Sequence, residues 1–188
     1  MIVLVGASAS GKTELAKALC KTKGYKKCVT TTTRPMRKGE KDGLDYRFVD
    51  LETFEKLEHD DALVESTTYD GNRYGIQKSD VRTNGVVIVD PSGANALLDT
   101  FGESVFIVHV ATSEPVRKER MATRGDAPED ILARLANDRL VFNEGSLRRI
   151  DLVVNNETDP IDVLAESIHT SHFTHILNRG KNNSDAVR

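Results

Sequence analysis

The sequence predicts an α/β fold in which a parallel β-sheet carries helices on both faces, and three observations support this. Short, fully apolar runs recur along the chain, as is typical of strands buried on both faces. The segments between them repeat apolar residues every three or four positions, as helices do. At 188 residues with 38% hydrophobic content, the chain is long enough for one compact core and short for two. Strands alternating with helices indicate a three-layer α/β/α arrangement.

The predicted elements follow one another in a regular order. The apolar runs that we expect to be core strands are residues 2–5, 86–89, 105–110 and 152–154. The amphipathic segments that we expect to be helices are residues 12–21, 93–99, 114–124, 128–147 and 160–168.

Residues 30–82 break this alternation, because they are polar and strand-rich, with a short helix near 51–58 and a hairpin-like 69–74. We expect this segment to be an inserted subdomain at the sheet edge. A second polar insertion, 124–128, joins two helices and is expected to hinge as a lid. In open α/β folds ligands bind at the carboxyl ends of the strands, so both insertions should face one site there.

These features predict one domain made of several parts. Its core comprises residues 1–29, 83–111 and 148–170, its insertion residues 30–82 and its lid region residues 112–147. The polar end, residues 171–188, is predicted to be a flexible tail.

The most informative motif follows the first strand and opens the first helix. It reads G-x-x-x-x-G-K-T and comprises Gly6, Ala7, Ser8, Ala9, Ser10, Gly11, Lys12 and Thr13. Such a P-loop brings backbone N–H groups to phosphate oxygens at a helix N-terminus, its lysine spans the β- and γ-phosphates, and its hydroxyl ligates Mg²⁺. We therefore expect a nucleoside triphosphate to bind here, with Thr13 as the metal ligand.

Composition limits the other function classes. A net charge of −3 and an isoelectric point near 6.0 argue against a protein that coats nucleic acid. Cys20 and Cys28 provide neither a disulfide framework nor a structural zinc site, which favours a reducing cytoplasm. The apolar run at the N-terminus is too short for a signal peptide, and no stretch reaches membrane-spanning length. His169, His172 and His175 diverge on a helix and are not expected to bind a metal.

The inserted segment carries further motifs in a fixed order. Residues 30–40 read TTTTRPMRKGE, residues 43–48 read GLDYRF, Glu65 follows, and residues 71–75 read GNRYG. With the P-loop, these motifs make the chain resemble guanylate kinases over roughly residues 1–168. The resemblance implies transfer of the γ-phosphoryl group of Mg-ATP to GMP or dGMP, giving ADP and GDP.

By this resemblance, Arg34, Arg37, Tyr46 and Tyr74 bind the phosphate of GMP. Guanidinium forks and phenol hydroxyls suit a dianionic phosphate. Glu65 matches the family carboxylate that accepts hydrogen bonds from guanine, and Thr30 matches a hydroxyl residue beside the base. Asp90 matches a family acidic residue that either contacts the base or helps to position magnesium.

The resemblance extends to the donor side. It places Arg120 and Arg124 at the donor nucleotide, Arg124 with Arg134 at the transferring phosphoryl group, and Asn155 beside the adenine. Lys12, Arg37, Arg124 and Arg134 are thus the predicted catalytic residues. Phosphoryl transfer requires positive charge spread around the transferring phosphoryl group.

Two positions depart from the family pattern. Ile76 stands where the family has a hydroxyl residue that contacts guanine, and Ile88 stands where it has an acidic residue. These departures keep open a related kinase with another acceptor, either a different nucleoside monophosphate or ribose 1,5-bisphosphate. A non-catalytic interaction domain is a further alternative, although the P-loop is intact. The expected assembly is a monomer or a homodimer, with nucleotides as the ligands.

Overall fold

The computed structural model describes residues 1–37 and 39–185, with side chains described up to residue 180. Its strands are β1 Ile2–Val5, β2 Lys26–Lys27, β3 Thr30–Thr32, β4 Arg47–Phe48, β5 Leu63–Tyr69, β6 Asn72–Gln77, β7 Gly85–Ile88, β8 Phe106–Ala111 and β9 Leu152–Asn155. Its α-helices are α1 Lys12–Lys23, α2 Leu51–His59, α3 Pro91–Phe101, α4 Glu114–Arg124, α5 Pro128–Val141 and α6 Ile161–Asp185. Short 3₁₀ turns span Lys78–Asp80 and Gly102–Ser104.

The main sheet has five parallel strands in the order β2-β7-β1-β8-β9. Its central strand, β1, is wholly buried, and alternate residues face opposite layers. Ile2 and Leu4 pack with residues of α1 and α6, whereas Val3 and Val5 pack with residues of α3. The predicted three-layer α/β/α fold is therefore confirmed.

A second sheet, in the order β4-β3-β6-β5, forms the inserted segment. Strands β5 and β6 are antiparallel, and Tyr69 pairs with Asn72 across the turn. The turn residues Asp70 and Gly71 have φ of 51° and 71°, which suits the tight turn of a twisted hairpin. The hairpin predicted for 69–74 is therefore present and longer than expected.

The structure corrects the prediction of a flexible tail from residue 171. Helix α6 continues to Asp185, and one of its faces packs on the core as far as His175, whose ring lies against Phe106. His172 is buried, its Nδ1 lies 2.8 Å from the Tyr25 hydroxyl, and its ring packs on Phe106. Residues 186–188 of the predicted tail lie outside the described residues.

A second correction concerns the helix predicted for 128–147, since α5 ends at Val141. Gly145 adopts a left-handed φ of 84° in the turn that follows. Phe142 and Leu147 pack against the core layer beside α3, so their apolar character reflects core packing outside the helix. Within the described residues, none of the helices has the length and apolar character needed to cross a bilayer.

Candidate active site

A cavity of about 360 Å³ lies where the P-loop, the inserted sheet and the lid helices meet. The structure brings most of the predicted site residues to its wall. These are Gly6, Ser8, Ala9, Gly11, Lys12, Thr13, Thr30, Arg34, Arg37, Tyr46, Glu65, Tyr74, Asp90, Arg120, Arg124 and Arg134. Residues far apart in sequence thus converge on one site at the carboxyl ends of β1 and β7.

Asn156, a residue that the sequence analysis did not identify, supports the P-loop through a hydrogen bond to its backbone. The Asn156 amide donates to the carbonyl of Ser10 at 2.8 Å, and a Cβ on Gly11 would lie 2.0 Å from the same amide nitrogen. Gly11 also has φ of 94°, so the loop conformation and its support both require glycine there. Asn155, its neighbour, is exposed and is not among the residues that line the cavity.

The Lys12 ammonium folds back onto the P-loop backbone. It donates to the carbonyls of Gly6 at 2.5 Å and Ala7 at 2.8 Å. Burial lowers its pKa to about 8, an effect that the nearby Asp138 carboxylate opposes. A triphosphate would provide stronger acceptors and favour the charged ammonium.

A second part of the wall is strongly cationic. Burial lowers the pKa of Arg37, and the nearby charges of Arg34, Arg134 and Arg124 lower it further. Arg34 is fixed by Glu40, with hydrogen bonds of 2.8 and 3.0 Å to the two carboxylate oxygens. This concentration of positive charge is suited to a polyanion.

Two tyrosines border the same cationic region. Tyr46 lies 5.3 Å from the Arg34 guanidinium, and burial raises its pKa to about 12, so it remains a neutral donor. Tyr74 packs edge-on against Tyr46 at 6.3 Å. Both tyrosines therefore line the cavity beside the arginines.

A third part of the wall is acidic and contains Glu65. Its two carboxylate oxygens are buried, and no group among the described residues donates a hydrogen bond of normal geometry to either. Burial, together with the nearby charge of Asp90, raises its pKa to about 8. A buried carboxyl group without such donors is costly to ionise, so a ligand that brings hydrogen-bond donors would favour its charged form.

Neighbouring side chains fix the position of this acidic region. The Thr67 hydroxyl donates to Asp90 at 3.0 Å, and the second Asp90 oxygen accepts from the Gly93 amide at the start of α3. Thr30 is buried beside them. Thr67 has no distinctive motif, and the sequence analysis did not identify it.

The two isoleucines that depart from the family pattern have different surroundings. Ile88 lines the cavity, whereas Ile76 is buried in the core layer that contains Val3 and Val87. Ile76 pairs with both Thr30 and Glu65 across the inserted sheet. Its side chain therefore lies on the same face of the inserted sheet as the side chains of Thr30 and Glu65.

Three arginines of the lid line the cavity, namely Arg120, Arg124 and Arg134. Arg124 forms an ion pair with Asp126, and Arg134 lies 3.2 Å from the same carboxylate. Arg120 donates to the carbonyls of Ala9 at 3.3 Å and Asn156 at 2.9 Å, so it spans the P-loop and its support. Hydrogen bonding to Arg124 keeps the pKa of Asp126 low, opposed by burial.

A buried ion pair connects the lid to the P-loop, and sequence reasoning did not find it. Arg117 donates to Asp138 at 2.6 Å, and both side chains are almost fully buried. Asp138 also accepts from the Ser8 amide at 3.0 Å. Charged residues on an amphipathic helix usually face solvent, so no signal in the sequence distinguished this pair.

Comparisons with known proteins identify relatives of this chain. The family model described as guanylate kinase matches residues 1–169. A guanylate kinase from Thermus thermophilus is 36% identical over 176 residues, which cover 89% of this chain and 76% of that protein. One from Chlorobium luteolum is 32% identical over 181 residues, covering 92% and 91%.

A solved structure shows the same fold. The crystal structure of guanylate kinase from Anaplasma phagocytophilum superposes with a TM-score of 0.64 at 24% identity, covering 90% of this chain and 82% of that chain. Together with the family match across nearly the whole chain, these findings show that the chain belongs to the guanylate kinase family.

Proposed function

We propose that this protein transfers the γ-phosphoryl group of ATP to GMP or dGMP, giving ADP and GDP. The observation that supports this most directly is the buried, unpaired Glu65 carboxylate in the wall of the P-loop cavity. The guanine edge presents N1–H and an exocyclic amine, and these two donors match an acceptor-only group. Adenine presents a lone pair at N1 and would leave the carboxylate partly unpaired.

The donor triphosphate is proposed to lie in the P-loop. Backbone amides of the loop and the N-terminus of α1 bind its β-phosphate, while Lys12 turns from the loop carbonyls to the phosphate oxygens. Arg120 lies on the same side of the cavity, against Ala9 and Asn156. Asn155 remains a predicted contact of the adenine.

The acceptor is proposed to lie across the inserted sheet. Arg34, Arg37, Tyr46 and Tyr74 hold its phosphate, and Glu65, with Thr30 and Asp90, holds its base. Glu40 fixes Arg34 before the ligand arrives, which reduces the entropy lost on binding.

The residues present fit one magnesium ion that arrives with ATP. Mg²⁺ keeps several waters and binds phosphate oxygens with few protein ligands. Thr13 lines the cavity at the first turn of α1, and no cluster of three or more metal-ligating side chains occurs among the described residues. When bound, the ion would neutralise phosphate charge, and Thr13 is the residue that would hold it.

The chemistry needs no nucleophilic side chain. The acceptor phosphate oxygen is already anionic, so the protein has to align two polyanions, neutralise them and exclude water. Lys12, Arg37, Arg124 and Arg134 supply the charge, and closing of the insertion and lid would exclude water. The unpaired thiols Cys20 and Cys28 suit work in a reducing cytoplasm.

Phosphoryl-transfer rates across an acceptor panel test this proposal. With Mg-ATP, the acceptors are GMP, dGMP, AMP, UMP, CMP and ribose 1,5-bisphosphate, and ADP formation is followed. We expect the highest kcat/KM for GMP and dGMP. A preference for any other acceptor would overturn the assignment of the base site, and the absence of Mg²⁺-dependent nucleotide binding would indicate an interaction domain.

A further inference from the structure

The tip of the inserted hairpin touches both the lid and the P-loop through Tyr69. Tyr69, the last residue of β5, donates its hydroxyl proton to Asp138 of α5. The same hydroxyl lies 3.1 Å from the Ser8 hydroxyl of the P-loop. Three segments that are far apart in sequence, the hairpin, the lid and the P-loop, therefore share one hydrogen-bond cluster.

Asp138 is the centre of this cluster. One of its oxygens accepts from Tyr69 and from the Ser8 hydroxyl at 3.2 Å, and the other accepts from the Ser8 amide at 3.0 Å and from Arg117 at 2.6 Å. Its side chain is about 1% exposed, so these donors replace its water. Because a buried carboxylate that loses donors is strongly disfavoured, the cluster resists separation of its parts.

A second contact reinforces the first. Arg134 lies one helical turn before Asp138 on α5, and its Nε lies 3.7 Å from Asp70 at the hairpin tip. The hairpin tip thus meets one face of α5 through both Tyr69 and Asp70.

We propose that Tyr69 is a positioning residue that, through Asp138, latches the inserted subdomain to the lid and to Ser8 of the P-loop. The latch stabilises the closed arrangement in which the two nucleotide sites form one cavity. Tyr69 acts on the reaction through Asp138 and Ser8 rather than by touching the reacting atoms. The effect of Tyr69 on catalysis rests on the proposed function, whereas its effect on the closing of the insertion against the lid does not.

The expected effect follows from the energetics of hydrogen bonds to charged groups. Loss of the Tyr69 hydroxyl removes one such bond at a partly buried site, which shifts the open–closed equilibrium by about tenfold or more towards open. The apparent affinity of a ligand falls with the fraction of protein in the competent state. Both substrates need the closed state, so the KM values for ATP and GMP should rise together while kcat changes less.

The test uses Tyr69→Phe, with Tyr25→Phe as the matched control. The Tyr25 hydroxyl contacts His169 and His172 instead of the cavity, so the control loses a tyrosine hydroxyl outside the site. Spin labels at the exposed positions Glu55 of α2 and Ala133 of α5 report the distance between insertion and lid, with both residues replaced by cysteine in a Cys20→Ser background. KM values and melting temperatures are measured in the unlabelled proteins.

We expect Tyr69→Phe without nucleotide to show a longer and broader distance distribution than the parent protein, and saturating nucleotides to restore the short distance. Both KM values should rise about tenfold, with Tyr25→Phe unchanged in distance and KM. Asp138→Ala should act in the same direction, and the double variant should be no worse than Asp138→Ala alone, because that substitution already removes the acceptor of the Tyr69 hydroxyl.

An unchanged distance distribution in Tyr69→Phe would overturn the latch, whatever happens to the melting temperature. A loss of thermal stability with normal distances and KM values would assign Tyr69 a structural role only. Should the parent protein fail to phosphorylate GMP, the proposed function would be wrong, and the spin-label distances would still decide whether Tyr69 holds the closed state.

Discussion

Glu65 and Asp90 place two carboxylates in the same acidic part of the cavity, and the charge of Asp90 adds to burial in raising the Glu65 pKa to about 8. Glu65 is therefore largely protonated at neutral pH before a ligand binds. The guanine donors require the ionised carboxylate, so binding of GMP should release a proton.

The first prediction concerns the pH dependence of catalysis. The kcat/KM for GMP should increase with pH up to about 8 and then level off, because the ionised fraction of free-enzyme Glu65 increases over that range. Steady-state rates between about pH 6 and 9 measure this.

Glu65→Gln tests the assignment of that profile to Glu65. The amide presents a donor as well as an acceptor, so kcat/KM for GMP should fall about 100-fold or more and lose this pH dependence. Glu55→Gln, on the exposed face of α2, should keep the parent profile. A retained rise towards pH 8 in Glu65→Gln would assign the titration to another group.

The second prediction is that Glu65 destabilises the unliganded protein at alkaline pH. Its pKa is raised above the unfolded value of 4.5, so the folded state binds the proton more tightly, and stability is lost as the pH rises towards about 8. Glu65→Gln should therefore melt several degrees higher than the parent at about pH 8.5 and differ little at about pH 5. Calorimetry checks this, and equal melting temperatures at the higher pH would contradict the raised pKa.

The third prediction concerns the support of the P-loop by Asn156. Asn156→Ala removes the 2.8 Å hydrogen bond to the Ser10 carbonyl and leaves that acceptor only the longer bond of 3.3 Å from the Thr112 hydroxyl, so the KM for ATP should rise about tenfold. Gly11→Ala should be more severe, because its Cβ would overlap the Asn156 amide and φ is positive. Titration calorimetry with Mg-ATP measures the loss of ATP affinity in both variants.

Asn155→Ala separates two interpretations of this segment. If the asparagine beside the adenine is Asn155, its loss should weaken ATP binding while leaving the P-loop conformation intact. If only Asn156 contributes to ATP binding, Asn155→Ala should bind ATP like the parent protein, and the prediction for Asn155 would be wrong.

The fourth prediction concerns charge at the transferring group. Arg124→Ala should lower kcat by about 100–1,000-fold with a smaller change in either KM, because the guanidinium is proposed to act chiefly in the transition state. Arg139→Ala is the matched control, since Arg139 forms an exposed pair with Glu114 and does not line the cavity. A change confined to KM would place Arg124 in ground-state binding.

The fifth prediction follows from the C-terminal helix. Burial, reinforced by the charge of the N-terminal amino group, lowers the pKa of His172 to about 4, so it is neutral in the folded state. The unfolded chain takes up the proton near the ordinary value of 6.5, and stability should fall as the pH drops from about 6.5 towards 4. The slope from this residue is at most about 1.4 kcal/mol per pH unit.

Urea unfolding between about pH 4 and 7 compares His172→Gln with the parent protein. The variant should lose part of this slope, and His59→Gln, with an exposed ring, should retain it. An unchanged slope in His172→Gln would show that other groups cause the acid sensitivity.

Sequence patterns predicted the parts of this protein that depend on local order. The apolar runs indicated the central strands, because a strand buried on both faces, such as β1, is apolar throughout. The P-loop motif predicted a strand, a loop and a helix, and all three occur as expected. The motifs of residues 30–75 indicated which side chains share the cavity. Each of these signals lies in neighbouring residues or in a fixed motif.

The residues missed by sequence analysis depend on contacts between distant segments. Asp138 is buried only because Ser8, Tyr69 and Arg117 surround it, and these residues come from the P-loop, the hairpin and α4. The part of α6 from residue 171 was predicted to be a flexible tail because its sequence is polar and the contacts that bury it come from distant segments. Its His172 is buried by Tyr25 and Phe106, which lie far away in sequence.

The most direct test follows the fate of the γ-phosphoryl group itself. With ATP labelled at the γ-phosphate and one equivalent of GMP, the label should appear in the β-phosphate of GDP, and Lys12→Met should retain nucleotide binding while losing most of this transfer. Label recovered as inorganic phosphate alone, label bound to the protein, or near-full transfer by Lys12→Met would contradict direct, charge-stabilised transfer between two nucleotides in one cavity.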